Sequence, residues 1–232
     1  VGSVRLCYGS DARIILISDQ FLEAAAYAGF VDEVRVCDID PQRLLLCRAR
    51  AYSNILKEHD WQSPLAFLDY DILLLKNIDH VFQSAADIFL TARGYSKEMP
   101  INGGVLLLNN RDPERCRSFY DHVLCSYECL SPSVMRWWGD QLSLATAVFN
   151  ESTPLSQNCI RTRSDAVVSL IPREIYNFTP YDVDSGLPVP AQLDEDTVKL
   201  LRDSVAIAHF KGPRKHLMLG FSSLLEARRD TI

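Results

Sequence analysis

Residues 64 to 75 read Pro64-Leu65-Ala66-Phe67-Leu68-Asp69-Tyr70-Asp71-Ile72-Leu73-Leu74-Leu75, an apolar run interrupted by two aspartates. The pattern predicts a buried strand over Leu65 to Leu68. Ionised aspartates are rarely buried without a partner, and side chains at positions i and i+2 of an extended chain leave the same face. Hard divalent cations such as Mg²⁺ and Mn²⁺ take such oxygen ligands, often together with substrate phosphates. The aspartate pair is therefore compatible with a metal and phosphate site, but the pair alone also fits the active-site strand of a phosphotransferase or an ordinary surface turn.

The chain before this run alternates between strand and helix patterns. We predict strands at Arg13 to Ile17 and Val34 to Cys37, and helices at Gln20 to Ala28 and Gln42 to Glu58. This β-α-β-α-β order predicts an α/β fold with a Rossmann-like, mixed but mostly parallel sheet flanked by helices. Ligands of such sheets bind at the carboxyl ends of the strands, which is where Asp69 and Asp71 fall.

The second half of the chain is less regular. We predict strands at Asp87 to Thr91 and Gly103 to Leu108, helices at Pro113 to Cys129 and Gly139 to Phe149, and irregular chain from Pro172 to Pro190. No internal repeat or linker is evident. A chain of 232 residues with 47% hydrophobic residues can bury a full core, so we expect one domain over residues 1–232.

Composition excludes several classes of partner. A net charge of -6 and the absence of a long basic run argue against nucleic acid. The apolar runs are far shorter than the ~20 residues of a membrane span, so we expect no membrane insertion. The seven cysteines are scattered and form no Cys-x-x-Cys pattern, which predicts buried free thiols and a reducing, cytoplasmic location.

Three further clusters carry chemistry. Asn102 and the two glycines that follow it stand at the mouth of a strand, where a ligand could approach the backbone closely. Asp140 and Gln141 follow Gly139 at a predicted helix start, and a helix cap is an equally good explanation of Asp140.

The third cluster is His209-Phe210-Lys211-Gly212-Pro213-Arg214-Lys215, which follows an apolar strand. His209 could be the third protein ligand of a cation, Gly212 lets backbone N–H groups face an anion, and Lys215 supplies a point charge to phosphate. Arg48, Arg50 and Arg93 could reach a nucleotide, but solvated surface charges explain them as well.

Taken in order, these motifs resemble the glycogenin-like members of glycosyltransferase family eight, which have the GT-A fold. The likeness rests on Phe67-Leu68-Asp69-Tyr70-Asp71 with Leu75-Lys76-Asn77-Ile78-Asp79 and Phe82, on Asn102-Gly103-Gly104-Val105, on Gly139-Asp140-Gln141, and on the run from His209 to Lys215. The chain departs from the family in two places. It begins with Val1-Gly2-Ser3-Val4-Arg5-Leu6, which is similar to the end of the helix after the family's first strand, and it has His216-Leu217 where the family has Pro-Trp.

The resemblance implies a retaining hexosyltransferase that moves glucose or galactose from UDP-glucose or UDP-galactose to an acceptor hydroxyl in α-linkage. It implies that Asp69, Asp71 and His209 hold Mn²⁺ or Mg²⁺, and that a glycan or glycoprotein is the acceptor. The residues implied to contact the donor diphosphate are Gly212 and Lys215, and those implied to act at the hexose are Asn102, Asp140 and Gln141. Beside these, we predict that Tyr70, Arg93 and Gly103 contribute to donor binding. Related enzymes often dimerise, so we also expect a homodimer.

Alternatives remain at this stage. The chain could be a self-glucosylating primer enzyme of the glycogenin type, with Tyr181 as the nearby acceptor, or a non-catalytic module that binds nucleotide sugars. A phosphotransferase of the haloacid dehalogenase type would use Asp69 as nucleophile and Asp71 as acid. Such enzymes normally have the Asp-x-Asp strand near the start of the chain and a Thr or Val close behind the second Asp, and this chain has neither. For a retaining transferase, either Asp140 is a nucleophile or the departing phosphate deprotonates the acceptor.

Overall fold

The structure is a computed structural model that describes residues 1–19, 30–58, 63–93, 100–149, 159–181 and 189–229. The chain forms two compact units, each assembled from segments that are distant in sequence. The smaller unit contains Val1–Ala12, Leu68–Asp79 and Pro172–Ile232, and the larger unit contains Arg13–Phe67 and His80–Ile171. The assignment of residues 1–232 to one domain stays a prediction.

The larger unit contains the main sheet, and the strands that the described residues contribute to it have the order β3-β6-β5-β8-β7. These strands are β3 (Leu65–Leu68), β5 (Ile88–Ala92), β6 (Ile101–Leu108), β7 (Cys159–Arg161) and β8 (Val167–Pro172). The β5/β6 and β7/β8 ladders are antiparallel. A separate pair, β1 (Ile15–Asp19) and β2 (Glu33–Cys37), is parallel, as the β-α-β order predicts. The α/β class with a mixed sheet is therefore confirmed.

The helices of the larger unit that fall in the described residues are α2 (Leu44–Glu58), α3 (Pro113–Glu128), α4 (Pro132–Trp137) and α5 (Gly139–Val148). A 3₁₀ turn over Pro41–Arg43 precedes α2. Helix α3 begins where the Asp112 side chain accepts a hydrogen bond from the Arg115 backbone N–H at 3.1 Å, which satisfies one of the unpaired N–H groups of the first turn. Tyr52 of α2 stacks on Phe67 of β3 with ring centroids 4.1 Å apart, so the helices bury apolar surface against the sheet.

The smaller unit contains an antiparallel pair, β4 (Ile72–Leu74) and β9 (Ile207–His209). Its helices are α1 (Gly2–Tyr8), α6 (Arg173–Tyr176), α7 (Glu195–Asp203) and α8 (Lys215–Arg229). Leu73, Ala208, Phe210 and Phe221 are among the residues of its apolar core. The hydroxyl of Ser3 in α1 accepts a hydrogen bond from the Leu74 backbone N–H at 3.0 Å, so α1 is attached to β4.

The predicted elements that fall in the described residues are present, with boundaries shifted by at most two residues. The helix predicted at Gln20 to Ala28 lies outside the described residues. The prediction of irregular chain from Pro172 to Pro190 is wrong in part, because α6 forms there. Strands β4, β7 and β8 and helices α4, α7 and α8 were not predicted. For α7 a signal was present, because Asp194 before Glu195 and Asp196 is a typical helix start.

Among the residues that the structure describes, no helix is both long and apolar enough to cross a lipid bilayer. The seven cysteines are free thiols, as predicted. Only Cys116 is buried, however, and Cys125, Cys129 and Cys159 are exposed, so the prediction of buried thiols is wrong for most of them.

Candidate metal and sugar sites

The two aspartates lie in the smaller unit, in the turn that follows β3 and precedes β4. Residues 70 and 71 form a turn, so the extended geometry expected for the pair is not what directs the side chains. Instead, Ile72 pairs with His209 across the β4/β9 ladder, and the Phe210 backbone N–H donates to the Asp71 carbonyl oxygen at 2.8 Å. This register brings the imidazole of His209 beside both carboxylates.

Asp69, Asp71 and His209 form a cluster in which one ligand atom from each residue lies within 4.8 Å of the others. The His209 Nε2 atom is 3.0 Å from Asp71 Oδ1 and 3.7 Å from Asp69 Oδ2. Octahedral ligands about 2.1 Å from a cation are separated by roughly 3 to 4 Å. Two carboxylates and one imidazole at these distances fit a divalent cation such as Mn²⁺ or Mg²⁺.

The electrostatics of the cluster favour ionised Asp71. Burial of the carboxyl acts to raise its pKa, but the hydrogen bond with His209 and the positive charge of Lys215 outweigh burial, and the pKa of Asp71 is lowered. The Asp71 side chain is 10% exposed and that of His209 only 4%. Asp69, with its side chain 22% exposed, is the most accessible of the three candidate ligands.

Asn177 is a member of this cluster that the sequence analysis did not assign. Its side-chain Oδ1 lies 2.9 Å from His209 Nδ1, on the side of the ring away from Nε2, and the asparagine is buried. Its place in the sequence gave little signal, because Asn177 lies within the segment from Pro172 to Pro190 that was predicted to be irregular.

Lys215 and Tyr70 lie next to the cluster. The Lys215 Nζ atom is 3.4 Å from Asp71 Oδ2 and 4.2 Å from the centroid of the Tyr70 ring, and it donates a hydrogen bond to the Tyr70 hydroxyl. That hydrogen bond and the charge of Asp71 raise the pKa of Lys215, so its ammonium group is charged at neutral pH. Tyr70 itself is largely exposed.

Gly212 begins the 3₁₀ turn Gly212–Arg214 that leads into α8. Its φ of +57° favours glycine, and a Cβ atom built there would meet no heavy atom within 4 Å. The buried side chain of Arg214 donates hydrogen bonds to the carbonyl oxygens of Pro180 and Tyr181, both at 2.8 Å. Arg214, to which the sequence analysis gave no role, therefore fixes the turn that carries Gly212.

The second predicted cluster lies in the larger unit. The β5/β6 register passes from Leu90 opposite Leu106 to Thr91 opposite Asn102, so residues 103–105 form a bulge. Asn102 Oδ1 accepts from the Gly104 backbone N–H at 3.0 Å. Bulges commonly redirect side chains beside binding sites, and this one explains why two glycines interrupt an apolar strand.

Gly103 faces Asp140 of α5. A Cβ atom at Gly103 would lie 2.7 Å from Asp140 Oδ2, so the close approach predicted at this glycine is made by a side chain of the same unit. Asp140 is not the helix cap, because Trp138 occupies that position and Asp140 lies in the first turn. Its carboxylate instead forms an ion pair with Arg48 of α2, and both side chains are largely buried.

Arg48 is therefore not a solvated surface charge.

The Oε1 atom of Gln141 is buried and has no hydrogen-bond partner among the described residues. Arg93, whose backbone N–H donates to Pro100 O at 2.7 Å, is half-buried at the end of β5. A small cavity adjoins the ion pair and is lined by Arg48, Tyr52, Gly103, Tyr120, Tyr127 and Asp140, among others.

The predicted site residues thus form two groups. One group lies in the smaller unit and comprises Asp69, Tyr70, Asp71, His209, Gly212 and Lys215. The other lies in the larger unit and comprises Arg93, Asn102, Gly103, Asp140 and Gln141.

No protein-family model matches the sequence. No curated protein matches it either. Solved structures do resemble it. The galactosyltransferase LgtC in complex with donor and acceptor sugar analogues is 14% identical, with a TM-score of 0.55 over 97% of this chain and 88% of that chain. The glycosyltransferase GlyE of Streptococcus pneumoniae TIGR4 is 15% identical, with a TM-score of 0.58 over 99% of this chain and 58% of that chain.

A glycosyltransferase involved in the glycosylation of the major capsid of PBCV-1 is 12% identical, with a TM-score of 0.52 over 93% of this chain and the whole of that chain. At these identities the likeness establishes the fold. The chain has the GT-A fold of solved glycosyltransferases, as its motifs predicted.

Proposed function

We propose that this chain is a glycosyltransferase that moves glucose or galactose from a UDP-sugar to a hydroxyl group of a separate acceptor, with retention and with a divalent cation. The observation that carries the proposal is the convergence of Asp69, Asp71 and His209 from distant parts of the chain into one set of ligand atoms. Structures with the same fold include glycosyltransferases, which supports the reaction class.

The diphosphate of the donor would be bound at the smaller unit. When bound, Mn²⁺ or Mg²⁺ would stabilise negative charge on the departing nucleotide as a Lewis acid. Asp69, Asp71 and His209 Nε2 are the groups that would hold it. Lys215 would place its ammonium group on the phosphate oxygens, exchanging its contact with Asp71, and Gly212 leaves space for a phosphate to approach the backbone.

The hexose would be bound by residues of the larger unit. The buried Oε1 of Gln141 can accept a hydrogen bond from a sugar hydroxyl, which would satisfy an otherwise unpartnered polar atom. Asp140 is anchored by Arg48, so we assign it to binding the hexose and its developing positive charge rather than to nucleophilic attack. Asn102 already accepts a backbone hydrogen bond through Oδ1, so its side-chain amide group is left for the sugar.

A separate acceptor is favoured over self-glycosylation. The Tyr181 hydroxyl, which the sequence analysis considered as a self-acceptor, donates to Asp194 Oδ2 at 2.6 Å and accepts from the Asp194 backbone N–H at 2.9 Å. A hydroxyl with both roles filled is poorly placed to attack a donor. We propose a glycan or glycoprotein as the acceptor.

The test is UDP release from UDP-glucose and UDP-galactose with and without Mn²⁺, together with mass spectrometry of the protein. Asp71→Asn should lower turnover by at least about 100-fold, because the loss of a ligand costs more than the 10- to 100-fold typical of outer-shell partners. Asp79→Asn is the matched control, since that carboxylate accepts from Tyr8 and Asn77 rather than from the cluster.

Unchanged turnover in Asp71→Asn would contradict the metal site. Binding of UDP-sugar without release would identify a binding module, and a gain of hexose mass on the protein would identify a self-glycosylating enzyme. A homodimer and a cytoplasmic location stay predictions.

A further inference from the structure

The imidazole of His209 is held from both sides. Its Nδ1 atom is 2.9 Å from Asn177 Oδ1, and its Nε2 atom is 3.0 Å from Asp71 Oδ1. The ring and the asparagine are each 3% exposed. Water therefore has little access to the ring, and these neighbours decide which nitrogen carries a proton.

Backbone pairing fixes Asn177 in this position. The Phe178 backbone N–H donates to Ile207 O at 3.0 Å, and the His209 backbone N–H donates to Phe178 O at 2.8 Å, so this segment runs parallel to β9. The Asn177 backbone N–H also donates to Arg173 O at 2.9 Å and ends helix α6. The side chain of Asn177 is thus placed by the same hydrogen bonds that place His209.

A neutral imidazole has one nitrogen that donates and one that accepts. An amide oxygen facing Nδ1 keeps a proton on Nδ1. Nε2, which donates to the Asp71 carboxylate when no cation is present, is then the nitrogen whose lone pair becomes available to a bound cation. We propose that Asn177 is a positioning residue that fixes the tautomer and orientation of His209 so that Nε2 is presented to a divalent cation. This inference rests on the proposed metal site and adds a member to it.

The burial of Asn177 also argues against another use of the residue. Asn177-Phe178-Thr179 has the sequence of an N-glycosylation acceptor, which requires an accessible amide on the surface. In the folded chain this amide is buried against His209, so positioning the ring accounts for it better than modification does.

The test compares two substitutions of Asn177. Asn177→Asp retains an oxygen that accepts from Nδ1, whereas Asn177→Leu has a similar shape and no acceptor. We expect Asn177→Leu to weaken Mn²⁺ binding, measured by electron paramagnetic resonance of the free ion, by about 10- to 100-fold. Asn177→Asp should bind Mn²⁺ nearly as tightly as the wild-type chain.

The control for lost stability is Asn109→Leu. Asn109 is also buried, and its side-chain amide donates to Ser84 O at 2.9 Å and Ala86 O at 3.1 Å, within the larger unit. We expect this variant to unfold at lower urea concentration while its Mn²⁺ affinity is unchanged. Weakened Mn²⁺ binding in Asn109→Leu equal to that in Asn177→Leu would reduce the role of Asn177 to ordinary stability.

A second readout is independent of Mn²⁺. In ¹⁵N NMR spectra of the cation-free chain labelled at histidine, Nδ1 of His209 should carry a proton in the wild-type chain, and this protonation should be lost or averaged in Asn177→Leu. An unprotonated Nδ1 in the wild-type chain overturns the inference. If wild type and Asn177→Leu bind Mn²⁺ equally tightly, the role of Asn177 is wrong and the proposed metal site stands. If the wild-type chain binds no Mn²⁺, the metal site is wrong, and the role of Asn177 at that site is wrong with it.

Discussion

Substitution of Gly103 by alanine tests whether the exact position of Asp140 matters for activity. The added Cβ atom would lie 2.7 Å from Asp140 Oδ2 and 3.5 Å from its Cγ. Ordinary contacts of a Cβ atom begin at 3.4 Å, so the carboxylate must move by about 0.7 Å or the strand must shift. Because Arg48 holds this carboxylate, the movement would strain the ion pair as well.

The expected size of the effect follows from that displacement. A misplacement of about 1 Å in a catalytic site can cost roughly 100-fold in rate, so we expect the turnover of UDP-sugar to fall by about 10- to 100-fold. Overpacking in a well-packed region costs about 1–3 kcal/mol, so the free energy of unfolding should fall by a similar amount.

The assay is UDP release at saturating donor and Mn²⁺, combined with urea unfolding. Gly220→Ala is the matched control, because a Cβ at Gly220 would meet no heavy atom within 4 Å and the residue lies in helix α8. We expect the control to retain full turnover and to gain about 0.5–1 kcal/mol in stability, since alanine is the better helix former.

Full turnover in Gly103→Ala, at a stability within about 0.5 kcal/mol of the wild type, would refute this reasoning. It would mean that the carboxylate relaxes without cost and that Asp140 is not held for the hexose. A loss of turnover with a KM for the donor unchanged would place the effect in the reaction step.

Two further predictions concern stability. A double-mutant cycle of Arg48→Met and Asp140→Asn should give a coupling energy of about 1.5–3 kcal/mol in urea unfolding, as expected of a largely buried charged hydrogen bond, and a value near zero would contradict the ion pair. Burial raises the pKa of the Cys116 thiol to about 12, above the ~8.5 of an unfolded cysteine. The stability that this burial provides is complete below pH ~8.5 and is lost at about 1.4 kcal/mol per pH unit as the pH rises toward 12. Cys116→Ala should therefore lose less stability than the wild type between pH 9 and pH 11, whereas Cys125→Ala, at an exposed position on the same helix, should follow the wild type.

The elements that sequence predicted well were those with a strong local signal. Strand β3 is an uninterrupted apolar run. Helix α3 has apolar residues at helical spacing, and Asp112 and Pro113 mark its start. The shape of strand β6 was harder to predict. Its apolar residues predicted a strand, but the bulge at residues 103–105 depends on how β5 pairs with it, and no local pattern reports that pairing.

In the candidate site, too, residues with a local sequence signal could be predicted, and residues whose role depends on a distant partner could not. Asp69, Asp71 and His209 could be predicted because carboxylates and imidazoles are common metal ligands. Their places after an apolar run and at a strand end are visible in the local sequence. Asn177 and Arg48 could not, because each acquires its role only from a partner far along the chain. Asn177 faces His209 through the parallel pairing of Phe178 with Ala208, and Arg48 meets Asp140 across a separation of 92 residues.

Ligand residues are constrained by chemistry, so a change at Asp71 or His209 should abolish cation binding whatever surrounds it. Residues that orient them are constrained by geometry, so their replacement by a side chain of the same shape and hydrogen-bonding capacity should be tolerated. The contrast between Asn177→Asp and Asn177→Leu measures this difference directly, because both variants preserve shape and only one preserves the acceptor that His209 Nδ1 requires.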